Sequence, residues 1–140
     1  MKLFTALFLA LAFLSLTGNA LTEEKTYLPK NNEEFYGTWV NTEYSLVAQK
    51  VVINPDGTWG WAMQANDEPG MKYTFELKEK WTDSEGNIWY KVRLESHRGK
   101  DYVLVKISNS GNTREIVWDS NEYPTKIDPQ NGNYRIYYRQ

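Results

Sequence analysis

The chain of 140 residues contains no cysteine. That absence excludes disulfides, thiolate metal sites, a cysteine nucleophile and a bacterial lipid-anchored N-terminus. Histidine is nearly absent too: His97 is the only one, in a predicted turn beside Arg98 and Lys100. No serine sits in a nucleophile-elbow context that would give it a substrate. A basic excess is also missing, with 16 Lys and Arg against 18 Asp and Glu and a formal net charge of -2. This argues against the electrostatic footprint of a nucleic-acid binder. No Asn-x-Ser/Thr glycosylation acceptor occurs. Asp83 and Glu85 lie close in sequence, but the ligand spacing of a calcium loop is lacking. The length favours one domain. What the chain has in quantity is aromatic: 15% of residues, with 6 Trp and 10 Tyr.

The first segment reads as an address. Lys2 supplies a positive start, Leu3 to Leu16 is almost purely apolar, and Gly18-Asn19-Ala20 ends it with small residues. The pattern predicts a signal peptide over residues 1–20, cleaved after Ala20. The apolar run is shorter than the roughly 20 residues a membrane span needs. Removing it takes away one cation, Lys2, leaving 15 basic against 18 acidic residues, and three of the 5 Phe (Phe4, Phe8, Phe13). The expected location is periplasmic or secreted, with no membrane span in the mature chain. Residues 21–34, with Glu23, Glu24, Glu33, Glu34 and Asn31-Asn32, read as a flexible lead.

From Phe35 to the end, turn signals recur at short intervals, which favours an all-β sandwich or barrel. Asn54-Pro55-Asp56-Gly57 is the clearest, with Pro and Gly placed for a hairpin turn. Asn66-Asp67-Glu68-Pro69-Gly70 reads as a loop. Tyr73, Phe75, Leu77 and Trp81 then share one face of a strand, opposite Lys72, Thr74, Glu76, Lys78 and Lys80. Period two of this kind means a half-buried strand. Ile88, Tyr90, Val92 and Leu94 alternate with Trp89, Lys91, Arg93 and Glu95 in the next. In the last strand Tyr134, Ile136 and Tyr138 share a face, leaving Tyr137 between Arg135 and Arg139. About eight strands are predicted, near 36–42, 47–54, 58–64, 71–81, 87–96, 101–108, 113–119 and 133–139. Short consecutive connections imply sequential antiparallel pairing. Residues 35–140 are therefore expected to form a single all-β domain, an up-and-down antiparallel β-barrel of about eight strands.

Phe35-Tyr36-Gly37-Thr38-Trp39, at the head of the first strand, resembles the Gly-x-Trp signature of lipocalins and the wider calycin group. Asp101-Tyr102 echoes the Asp-Tyr of their middle motif. The resemblance implies an up-and-down barrel for a small apolar ligand. It also implies that Trp39 sits at the closed end under an arginine from the C-terminal strand, Arg139 or, second, Arg135. A guanidinium over an indole is worth roughly 0.5–2 kcal/mol, so Gly37, Trp39 and Arg139 are expected to act as a structural lock.

Nine rings are candidates to line a ligand cavity: Trp59, Trp61, Tyr73, Phe75, Trp81, Tyr90, Tyr102, Trp118 and Tyr134. Ligand pockets are mostly apolar with few placed polar groups, but an eight-stranded barrel can equally be filled by its own side chains. Trp59 and Trp61 point inward if their hairpin keeps register with Val51 and Ile53. Trp89 and Tyr137 fall on charged faces, as contact residues or as rings packed on Lys and Arg stems. The expectation is a binding protein for a small apolar or amphipathic ligand, without a cofactor, metal or catalytic set. The alternative is a filled barrel that meets a protein partner, such as an envelope component or a hydrolase, through its outer surface or loops.

Overall fold

The structure, a computed structural model, describes residues 31–62 and 71–140. The predicted signal peptide, most of the lead and the 66–70 loop lie outside the described residues. Eight strands follow one another: β1 Gly37–Val40, β2 Lys50–Ile53, β3 Thr58–Ala62, β4 Lys72–Thr82, β5 Ile88–Ser96, β6 Gly99–Ile107, β7 Thr113–Asp119 and β8 Tyr134–Arg139. Each pairs antiparallel with its successor, and β8 returns to β1 to close the barrel. Closure leaves no exposed edge to template pairing with another chain.

The local chemistry explains the hairpins. In the 54–57 turn, Asn54 N–H donates to Thr58 O at 2.9 Å, and Asp56 Oδ1 accepts from the Thr58 N–H at 3.0 Å. In the 83–87 turn, Asp83 Oδ1 accepts from the backbone N–H groups of Glu85 and Asn87 at 2.9 and 3.0 Å. Asp83 and Glu85 thus serve turn chemistry.

Register fixes which side chains enter the barrel. Trp39 pairs with Val51, Val51 with Trp61, and Ile53 with Trp59, so these inward positions run unbroken through β1, β2 and β3. In β4, Phe75 and Leu77 pair with Leu94 and Val92 on the inner face. The register then shifts between Leu77 and Glu79, leaving Lys78 as the extra residue of a β-bulge. Beyond it the faces are exchanged: Lys80 pairs with Tyr90 inside, and Trp81 with Trp89 outside. Trp81, expected inward from simple alternation, is therefore an outer-face residue, and its ring stacks on Trp89 at 5.8 Å and 10°.

Two further placements differ from the sequence expectation. Tyr102 lies on the outer face of β6, whose inner face carries Val103, Val105 and Ile107 in the core. Tyr134 is on the outer face of β8, where its hydroxyl donates to Glu115 at 2.9 Å. The inner face of β8 is instead the one bearing Arg135, Tyr137 and Arg139, and Tyr137 is fully buried. Outer-face Leu104 and Val117 pair across β6 and β7 and are also buried. The 120–133 connection runs on this side, and Tyr123 from it meets Tyr102 edge-on at 5.0 Å.

Candidate functional site

The two ends of the barrel are built differently. At one end lie the turns 54–57, 83–87 and 108–112 and the segment 31–36 that precedes β1. Phe35 is fully buried there, against Tyr90 at 4.8 Å, Phe75 at 5.5 Å and Trp59 at 6.1 Å. Glu34 forms an ion pair with Lys80 at 2.8 Å and accepts a hydrogen bond from the Tyr90 hydroxyl. Burial tends to raise the Glu34 pKa, but the bonds from Lys80 and Tyr90 outweigh it and hold the carboxyl below its ordinary value. Burial first, and then the bond to Glu34, push the Tyr90 phenol well above its ordinary value, so it stays a donor.

Arg139 completes this closed end. Its guanidinium lies 4.1 Å from the centre of the Trp39 ring. It also donates to Glu34 O at 2.6 Å, Tyr36 O at 3.0 Å and Gly111 O at 2.9 Å. Gly37 is glycine for two reasons. Its φ is +121°, a region L side chains rarely adopt, and a Cβ there would stand 2.9 Å from Arg139 Nη1. The Gly-x-Trp pattern is thus physically tied to the arginine above it.

At the other end lie the 41–49 and 120–133 connections, Ala62 at the end of β3, Met71 before β4, and the short turn at His97 and Arg98, both exposed. Here the barrel interior holds a cavity of about 400 Å³. Three of the nine predicted rings line it: Trp61, Tyr73 and Trp118. Trp59, Phe75 and Tyr90 also face inward but are packed into the closed half around Phe35. Trp81, Tyr102 and Tyr134 are outside. The interior rings therefore do both things the sequence left open, filling one half and surrounding space in the other.

The remaining walls are Val47 and Ala48 from the 41–49 connection, Met71, and Leu94, Val103 and Ile116 from the strands. Two charged residues join them, Asp101 and Arg135. Burial, and secondarily the nearby Asp119, raise the Asp101 carboxyl above its ordinary value. Arg135 lies 5.1 Å over the Trp118 ring and 5.9 Å over Tyr44. The arrangement is an apolar, aromatic-walled chamber with one acid and one base, the composition of a small-molecule pocket.

Sequence reading missed the residue of highest electrostatic consequence. Arg114 is fully buried on the inner face of β7, pairing with Ile107 and Tyr137. Its guanidinium sits 4.1 Å from the Trp59 ring centre, 5.0 Å from Phe35 and 5.9 Å from Trp39. No acceptor among the described residues meets its Nε, Nη1 or Nη2. Burial pulls its pKa down to about 9, with Arg139 adding to the fall. The signal was present: Arg114, Ile116 and Trp118 are two apart, so an inward Trp118 requires an inward Arg114.

What fold and chamber define together is a closed eight-stranded antiparallel barrel, sealed at one end and hollow at the other. No family model, curated protein or solved structure matches the chain.

Proposed function

We propose that this chain is a lipocalin-like binding protein that holds a small apolar or amphipathic ligand in the hollow half of its barrel. The observation that carries the reading is the chamber of about 400 Å³ walled by Trp61, Tyr73 and Trp118. A volume of that order lies in the range of small-molecule sites, roughly 300–1,000 Å³. Binding would draw on burial of apolar ligand surface, roughly 25 cal/mol per Å², with Asp101, Arg135 and the Tyr73 hydroxyl orienting any polar end. The protein acts by binding rather than by catalysis and needs no cofactor. Lys2, the apolar run and Ala20 support export to the periplasm or beyond.

Titration of the purified mature protein with Nile red, a neutral environment-sensitive dye, tests this. The expected result is saturable dye emission with quenching of tryptophan fluorescence, both weakened by Trp118→Ala. Neither signal in a folded protein would reject the ligand reading.

A second reading is favoured by one observation, the outer-face stack of Trp81 on Trp89. Paired rings on a barrel wall suit contact with a partner such as an envelope protein or a hydrolase. Under this reading a Trp81→Ala, Trp89→Ala double variant keeps dye binding and loses inhibition of the target hydrolase. Unchanged inhibition by that variant would count against the outer wall.

A further inference from the structure

Two dipeptides of the chain have the makings of a ring closure onto their own main chain: Asp56-Gly57 and Asn131-Gly132. In such a pair the glycine nitrogen can attack the preceding side-chain carbonyl carbon, because no Cβ crowds the approach. Asparagine counts among the thermolabile residues. The two pairs share a local fold, in which the side-chain oxygen accepts the N–H two residues on. Asp56 Oδ1 accepts from Thr58 at 3.0 Å, and Asn131 Oδ1 from Asn133 at 2.8 Å. Their chemistry nevertheless differs. The Gly57 N–H donates to Asn54 O at 3.2 Å, which engages the would-be nucleophile. The Thr58 hydroxyl, and then its N–H, hold the Asp56 carboxyl below its ordinary value, and an ionised carboxylate is a poor electrophile.

The second pair is arranged the opposite way. Asn131 and Gly132 are both exposed, and no acceptor among the described residues meets the Gly132 N–H. The Tyr134 N–H donates to Asn131 O at 3.0 Å, on the peptide group whose nitrogen would attack. That bond steadies the charge left when the nitrogen loses its proton. The Asn133 N–H polarises the carboxamide under attack and meets the charge that gathers on Oδ1, as preorganised donors do in acyl transfer. Arg135 donates to Gly132 O at 3.0 Å and adds a positive charge close by. Nucleophile and electrophile are both activated, and neither is engaged elsewhere in a way that blocks the bond between them.

We propose that Asn131 is a self-modification site, where the Gly132 nitrogen closes on the carboxamide and the residue becomes aspartate or isoaspartate. The Gly132 nitrogen gives its proton to solvent and bonds to Asn131 Cγ. The Cγ–Nδ2 bond breaks, and the leaving amide takes up a proton and departs as ammonia. Water then opens the cyclic imide. Breaking the new bond to Cγ yields aspartate, and breaking the original peptide bond yields isoaspartate, with one more carbon in the main chain. Nothing is oxidised or reduced. The location ties the reaction to the chamber. Gly132 O holds the Arg135 guanidinium, Asn133 Nδ2 donates to Trp118 O at 2.9 Å, and Arg135 and Trp118 are both chamber-wall residues. A negative charge, and in the isoaspartyl form a longer main chain, thus enter where the 120–133 connection feeds β8. The modification stands whatever the chamber holds.

Incubation of the folded mature protein in warm, mildly alkaline buffer, followed by peptide mass analysis, tests it. The expected result is conversion of the Asn131 peptide into two acidic products of equal mass, one aspartyl and one isoaspartyl, with ammonia released in matching amount. The exposed Asn109, Asn112 and Asn121 keep their amides over the same time. A Cβ at Gly132 would meet nothing within 4 Å, so Gly132→Ala is expected to fold as the wild type does. By crowding the attacking nitrogen it should slow conversion at least tenfold. In ¹H–¹⁵N spectra of the converted protein the Arg135 and Trp118 backbone signals move, while the Trp39 indole signal at the closed end stays. Asn131 left intact in the folded protein, while it converts in urea, would mean that the fold shields the pair and would overturn the inference. Equal conversion in the Gly132→Ala variant, or at the other asparagines, would overturn it as well, since hydrolysis by bulk water would then explain the loss of the amide. Unmoved Arg135 and Trp118 signals would overturn the link to the chamber.

Discussion

The same barrel wall encloses two unlike interiors. In the closed half, aromatic rings meet one another and three charged side chains, Lys80, Arg114 and Arg139, with Glu34 tying Lys80 to the chain that precedes β1. In the open half, rings of the same kinds stand around space. The difference does not come from the strands, which supply both halves from one alternating pattern. It comes from what is added: residues 31–36 bring Phe35 and Glu34 into the middle of one end, whereas the 41–49 connection lines the other, setting Tyr44 against Tyr137 and Val47 and Ala48 in the chamber wall. An eight-stranded barrel is just wide enough for one such insertion to decide between packed and hollow.

Four measurements would break or sharpen this contrast. The largest expected effect is Trp59→Ala, which removes a fully buried ring from the packed half and strips Arg114 of its nearest partner. It should cost about 3–5 kcal/mol, against under about 2 kcal/mol for Trp118→Ala at the chamber wall. Urea unfolding at equal slope measures both, and equal costs would mean that the two halves are packed alike.

Arg139→Ala comes next, at about 2–4 kcal/mol from the lost indole contact and three backbone carbonyls left without their donor. Dye binding in the chamber should persist in the folded variant. Its disappearance with stability intact would mean that the seal takes part in the site.

A smaller effect, about 1 kcal/mol, is expected for Glu34→Gln, because solvent reaches the Lys80 pair. Here pH supplies the sign. The folded Glu34 pKa lies below its ordinary 4.5, so its contribution is complete above that value and is lost as pH falls through the lower folded one. The gap between wild type and variant should therefore be full at neutral pH and shrink in acid. A gap that widened in acid would contradict the closed-end network.

The smallest effect is at the tip of the 83–87 turn. The Trp89 indole, and secondarily Asn87, hold the Asp83 carboxyl down at about 2. The Trp89 indole N–H signal should titrate near that value, and a midpoint at the ordinary 3.8 would show that the contact does not form.

Strand number, order and closure were legible in the sequence, because turn residues and period-two runs are local signals. The inner faces of β3 and β5 were legible for the same reason. Trp81 was misplaced because a bulge leaves no local mark: Lys78 is one more lysine on what looks like a charged face. Tyr102 was ambiguous because β6 has apolar residues on both faces, with Leu104 and Val117 covered from outside. Tyr134 failed for a different reason. The rule that charged residues point outward ejected Arg135 and Arg139, yet an aromatic interior offers ring faces to guanidinium planes. The expected contact of Arg139 with Trp39 already contained the correction. If Arg139 points inward, alternation carries Tyr137 and Arg135 with it and turns Tyr134 out.

Lys78 gives β4 two reading frames. Before it, odd-numbered residues face the barrel; after it, even-numbered ones do. A substitution at Lys78 changes only an exposed side chain, and its deletion would merge the two frames without turning any residue over: Leu77 would stay inward, Glu79 outward, Lys80 inward beside Glu34 and Trp81 outward on Trp89. β4 thus carries one residue to spare, and a scan of single deletions should find a tolerance at 78 that the unbroken pairing of β5 with β6 does not offer.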